Sequence, residues 1–279
     1  MKTNEKEEHT STVRAVAAWM RERFPPLITL PLAAVLTFSG QAGNPCPWQS
    51  VPATILYGWL ILLALRIIDD LTDLEHDRIW HPRRTLSRGW VTTASLGWLA
   101  AISVMAAAAL AVMSGSIELT VILASVYLPF FLFKSGIPAL VRPFWINLVF
   151  GLLITGTAEA SWGRVALGAF GWLAATGHDF CHSIADMVEQ SGSAEGKLRL
   201  AAQTGIVCYG LSFVMALVAL VLEPNIVMAL ALACSGIWLG RWLLRLWEDP
   251  GVQTARALYV RGFLAFVLPL AARIVGFML

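Results

Sequence analysis

ILYGWLILLALRIIDDLTDLEHDRIWHPRRTLSRG, residues Ile55–Gly89, sets the problem that this chain poses. Eleven uncharged residues, Ile55 to Leu65, lead to five acids within nine residues: Asp69, Asp70, Asp73, Glu75 and Asp77. Four arginines follow within eleven: Arg78, Arg83, Arg84 and Arg88. An apolar run of this kind reads as a helix buried in protein or lipid. Carboxylates at its end have no place in hydrocarbon, so the segment must leave the apolar phase where they begin.

The rest of the chain says which apolar phase it is. Of 279 residues, 57% are hydrophobic and 14% charged, and the mean hydropathy is +0.68. Soluble domains carry roughly 25% charged residues, so the composition points to a polytopic membrane protein, all-α and without a soluble domain. A span needs about 20 apolar residues. On that rule about nine transmembrane helices are expected, near 25–42, 50–68, 90–113, 117–134, 143–158, 163–181, 204–222, 225–247 and 258–278. Residues 25–279 then form one membrane domain. Residues 1–24 form a tail whose TSTVRAVAAWMRERF segment has the pattern of an amphipathic helix lying on the membrane surface. Four widely spaced cysteines with no CxxC pair read as small core residues.

Lys and Arg in short loops set orientation. With the N-terminus in the cytoplasm, the loops expected there hold Arg78, Arg83, Arg84, Arg88, Lys134, Arg142, Lys197, Arg199, Arg241, Arg245 and Arg256. Those on the other side hold Arg164 alone. The acidic segment therefore faces the cytoplasm of what is expected to be a bacterial or archaeal cell membrane.

If the second span runs on as one helix, Asp70, Asp73 and Asp77 stand at i, i+3 and i+7 on one face. Arg66 lies one turn before Asp70, and Asp69 borders the face. Like charges at this spacing repel, so a cation should join them. Hard oxygens suit Mg2+, which binds through one or two carboxylates plus phosphate oxygens. Arg83 and Arg84, with Arg78 and Arg88 near them, supply paired N–H donors for that phosphate. Acids for a metal beside bases for a phosphate describe a diphosphate site.

A second stretch repeats the order. GHDFCHSIADMVEQSGSAEGKLRLAAQTG, Gly177–Gly205, follows an apolar span with Asp186 and Glu189 at i and i+3 and Ser193 at i+7, then Lys197 and Arg199. His182 and Asp179 lie one and two turns earlier on roughly that face. The parallel placement hints at an internal duplication.

These residues resemble the UbiA superfamily of intramembrane prenyltransferases. The family's NDxxDxxxD motif is matched by Asp69, Asp70, Asp73 and Asp77, with Asp for Asn. Its RPLPSG-like element is echoed by Arg84–Gly89 with Thr85 for Pro. Its second motif, DxxDxxGD, is echoed from Asp186 to Ser193, with Glu189 for one Asp and Ser193 for the last. That last ligand is either weakened or supplied elsewhere, as by Asp179 in a shifted register.

The resemblance implies a bundle around a central cavity under a cytoplasmic polar cap. It implies Mg2+ held by Asp70, Asp73, Asp77, Asp186 and Glu189, with Arg83, Arg84, Lys197 and Arg199 on the diphosphate of a prenyl substrate. The prenyl group would pass to a hydrophobic or aromatic acceptor inside the membrane lipid, and no nucleic acid is involved. A terpene cyclase of the same architecture is the nearest alternative. A transporter is the alternative of another class, although its acids would sit near mid-membrane rather than at span ends.

Overall fold

The computed structural model describes residues 12–42, 50–114, 117–156, 160–191 and 195–279, and the side chains at 114, 185 and 189–191 lie outside that description. Among the described residues it is helical throughout, with no strand. Lipid offers backbone groups no partners, so a chain this apolar must satisfy them within helices.

Among the described residues six helices are long and apolar enough to cross a membrane: α3 (Val51–Thr72), α5 (Thr93–Ser114), α6 (Ile117–Phe133) with the turn that carries it on to Gly136, α10 (Glu195–Leu222), α11 (Ile226–Glu248) and α12 (Val252–Met278). The remaining expected spans fall on helices of other kinds. α2 (Pro26–Ser39) is short, and starts at a Pro-Pro pair whose fixed φ suits a first turn. The expected fifth span is two pieces, α7 (Arg142–Ile146) and α8 (Leu148–Thr155), joined at Asn147. α9 (Trp162–Ser191) has 30 residues, about 45 Å of helix and some 15 Å more than the hydrocarbon core. The stretch after residue 181, expected as a loop, is therefore mostly the polar end of α9, and α10 resumes at Glu195. α4 (Leu74–Trp80) is a short helix after α3.

The N-terminal helix, α1 (Thr12–Arg23), packs against the bundle: Ala15 and Trp19 are buried, and polar residues of α1 bind other segments of the chain. Glu22 accepts from the Thr85 amide at 2.9 Å and from the Thr85 hydroxyl. An amphipathic pattern specifies one apolar face, and here the buried part of that face meets protein.

Inside the bundle, small residues let helices approach closely. α8 and α9 cross glycine to glycine. A Cβ on Gly151 would lie 2.9 Å from the Gly168 carbonyl, and one on Gly168 would strike the Thr155 hydroxyl. At the end away from the acids, Arg273 of α12 is fully buried. Its Nε donates to the Ser39 carbonyl at 2.8 Å, and its Nη2 pairs with Glu223. Its own carbonyl accepts from Asn225, whose Oδ1 caps the first turn of α11. The buried charge is met by Glu223 and the Ser39 carbonyl, while Nη1 stays buried without a hydrogen-bond partner.

Candidate functional site

The acidic helix end is built differently from the single-faced helix expected. α3 stops at Thr72. Asp73, at φ −99° and ψ 8°, joins it to α4. The hydrogen-bond ladder resumes at once, since Asp73 donates to the Asp69 carbonyl and Asp77 to that of Asp73. Cations stand among the carboxylates at this end and offset the repulsion between like charges.

Asp70 is buried and fully occupied. Oδ2 accepts from Trp19 Nε1 and Arg23 Nε, both at 3.0 Å, and Oδ1 from Arg23 Nη2 at 2.9 Å and Arg66 Nη2 at 2.7 Å. Asp77, also buried, accepts from Arg84 at 2.6 Å. Asp69 and Asp73 instead converge on Lys134, whose Nζ stands 2.8 Å from Asp69 Oδ1 and 2.9 Å from Asp73 Oδ2. Lys134 also donates to Thr72 at 3.1 Å, and Arg66 lies 3.6 Å from the other Asp69 oxygen. The Asp73 side chain is 44% exposed against 4% for Asp70, so the carboxylates open to a ligand are Asp73 and Asp69.

From the other half of the chain, α9 brings Asp179. It accepts from Asn147 at 3.2 Å, the residue joining α7 to α8, and lies within electrostatic reach of Asp69, Arg66 and His182. Asp179 on α9 thus stands at the same end of the bundle as the acids of α3. Asp186 is half-buried two turns further along. The His182 ring lies 4.9 Å from the Tyr259 ring. The Glu189 side chain and Ser193 lie outside the described residues. Asp179, His182 and Asp186 stand at i, i+3 and i+7, the spacing of Asp70, Asp73 and Asp77, so the register starting at Asp179 matches the first cluster better than the one starting at Asp186.

The expected phosphate ligands are scattered. Arg84 is committed to Asp77, and Arg83 and Lys197 are exposed. Arg199 pairs with Glu195 at 3.0 Å and lines a small cleft with Leu246, Trp247 and Pro250. Lys134, Arg66 and Arg23 stand among the carboxylates instead. Sequence reasoning placed Lys134 only as a loop charge and Arg23 only as a charge of the N-terminal tail, because their partners are 65 and 47 residues away in the chain. Among the described residues no three His, Cys, Asp or Glu side chains gather at metal-ligating distance. Two carboxylates flanking one cation are present at Asp69 and Asp73. The lysine ammonium there stands in for the kind of charge that hard oxygen donors take as Mg2+.

This helical fold is similar to that of solved membrane-protein structures. Two solved structures share it. The apo structure of a UbiA homolog from Aeropyrum pernix K1 has a TM-score of 0.70 and 18% identity, covering 90% of this chain and 97% of that one. A digeranylgeranylglyceryl phosphate synthase has a TM-score of 0.67 and 16% identity, covering 95% and 99%. At such identities the likeness is one of fold. No protein-family model and no curated protein matches the chain.

Proposed function

We propose that this integral membrane protein is a Mg2+-dependent prenyltransferase, with its acidic end in the cytoplasm. It would move a prenyl group from a prenyl diphosphate to a lipophilic or aromatic acceptor and release diphosphate. The observation that carries the reading is that Asp179 of α9 lies within electrostatic reach of Asp69 and Arg66 of α3, while Asp69 and Asp73 flank Lys134. Carboxylates interleaved with cations at a helix end suit a diphosphate better than they suit a transported ion.

Mg2+ held by Asp69 and Asp73, and by Asp179 with Asp186 or His182, would supply positive charge against the diphosphate oxygens. Lys134 and Arg66 donate N–H groups to the same oxygens, where negative charge grows as the allylic C–O bond breaks. Asp70 holds Arg66 and Arg23 in place and acts as a positioning residue. The helices around the prenyl chain exclude water, which would otherwise quench the allylic cation.

The test is pyrophosphate release from C10 to C20 prenyl diphosphates by protein in liposomes, with and without phenolic and lipid-alcohol acceptors. Release that needs an acceptor supports transfer. Release without acceptor, yielding a cyclic hydrocarbon or alcohol, would make the protein a cyclase. No Mg2+-dependent release from any of these substrates would overturn the reading.

A further inference from the structure

A second concentration of charge lies where α11 turns into α12. This turn is at the same end of the bundle as the acidic site, since Arg199 near the start of α10 shares a cleft with Trp247 and Pro250. Arg245 of α11 and Arg261 of α12 both stand over the Trp242 ring, 4.7 and 4.1 Å from its centroid. Among the described residues neither guanidinium forms an ion pair. Arg261 gives one N–H to the Ala257 carbonyl of its own helix, and its Nε is buried with no hydrogen-bond partner.

An indole face attracts a cation but accepts none of its in-plane hydrogen bonds. Two guanidiniums on one ring also repel each other. The missing group is an anion with several acceptor oxygens, and a phosphate fits two arginine forks. What lies deeper in the membrane says which phosphate. Along the stripe below Trp242 come Trp238 and Cys234 on α11, and below Arg261 comes Leu268 on α12. All three are exposed, Trp238 by 38% and Leu268 by 46%. A positive bracket above an exposed apolar strip is the outline of a phospholipid, with its headgroup at the bracket and its chains along the helices.

We infer that the α11–α12 seam is a binding site for an anionic phospholipid, its phosphodiester held by Arg245 and Arg261 beside Trp242. The inference is independent of the prenyl-transfer reading, and its test needs no turnover. A zwitterionic lipid returns a positive charge to a place that already holds two, so the site prefers a headgroup of net negative charge.

The full-length protein in detergent is titrated with phosphatidylglycerol or phosphatidylcholine, and bound lipid is counted by native mass spectrometry. The wild type should retain phosphatidylglycerol and discriminate against phosphatidylcholine. Arg245→Gln and Arg261→Gln should each weaken that retention about tenfold, as loss of one charge-assisted contact does. Arg245→Lys should keep most of it, and Arg241→Gln, next to Trp242, should leave it unchanged. An unchanged unfolding midpoint for Arg245→Gln, whose side chain is exposed, separates lost binding from lost folding. Equal retention by the Arg245→Gln/Arg261→Gln double variant, or by phosphatidylcholine, overturns the proposal. Displacement of the lipid by millimolar inorganic phosphate also overturns it, by marking a site for a free anion.

Discussion

Replacing Asp70 by alanine removes the acceptor of four N–H groups at once: one from Trp19, two from Arg23 and one from Arg66. Taking one partner from a buried ion pair costs about 3–5 kcal/mol, because the other charge is left stranded. Here the stranded guanidiniums are 18% and 30% exposed and regain some water, which favours the low end, about 3 kcal/mol. The loss should fall unevenly. Trp19 is fully buried, and its burial alone contributes roughly 2–3 kcal/mol toward holding α1 in place. α1 should therefore stay docked but open far more often. Denaturant unfolding in detergent gives the global change, and hydrogen exchange over residues 12–23 gives the local one. Asp70→Asn, which keeps an acceptor oxygen but loses the charge, should fall between. An Asp70→Ala variant within 1 kcal/mol of wild type, or with α1 exchange unchanged, would refute the assignment of Asp70 as the anchor of α1.

Asp73→Ala should do the reverse, costing less than about 1 kcal/mol of stability, as for an exposed pair, while lowering Mg2+-dependent pyrophosphate release at least about a hundredfold. Lys134→Ala should raise the KM for prenyl diphosphate about tenfold or more. Arg199→Ala, whose side chain pairs with Glu195 in a separate cleft, should leave that KM within about threefold. Gly168→Ala pushes a methyl group into Thr155 and the Gly151 carbonyl, and should destabilise the bundle by about 1–3 kcal/mol in the same unfolding assay. Glu223→Gln tests the opposite end. Burial pushes the Glu223 carboxyl up, but hydrogen bonds from Ser161 and Arg273, with the charges of Arg273 and Arg164, outweigh it and hold the group below the usual carboxylate range. A carboxyl with a depressed folded pKa stabilises above its unfolded value of about 4.3 and loses that contribution as pH falls through the folded value. The gap in unfolding midpoint between wild type and variant should thus be present at pH 7 and close below about pH 4.

The apolar runs were legible in the sequence because lipid demands them: each expected span falls on helix, even where α2 or α7–α8 is short. The acidic cluster was legible as a site for charge, but its geometry was not. Nothing in Leu71-Thr72-Asp73-Leu74 breaks a helix by propensity. The cations that meet these acids, Arg23 at Asp70 and Lys134 at Asp69 and Asp73, are brought there by tertiary packing across dozens of residues. In the second stretch Asp186 and Glu189 are the visible acid pair, while Asp179 is embedded in an apolar-looking run and His182 interrupts the acidic pattern. The reach of Asp179 to Asp69 and Arg66 is a tertiary fact that the local pattern does not carry.

Arg273 ties the carbonyl of Ser39, at the end of α2, to a helix that begins more than two hundred residues later. Two helices far apart in the chain are thus stitched together by one side chain, and Glu223 is tied into the same knot. Without the Arg273 guanidinium, the Ser39 carbonyl and Glu223 lose a shared partner, so a chain truncated before Arg273 should enter the membrane yet be prone to capture by quality-control proteases.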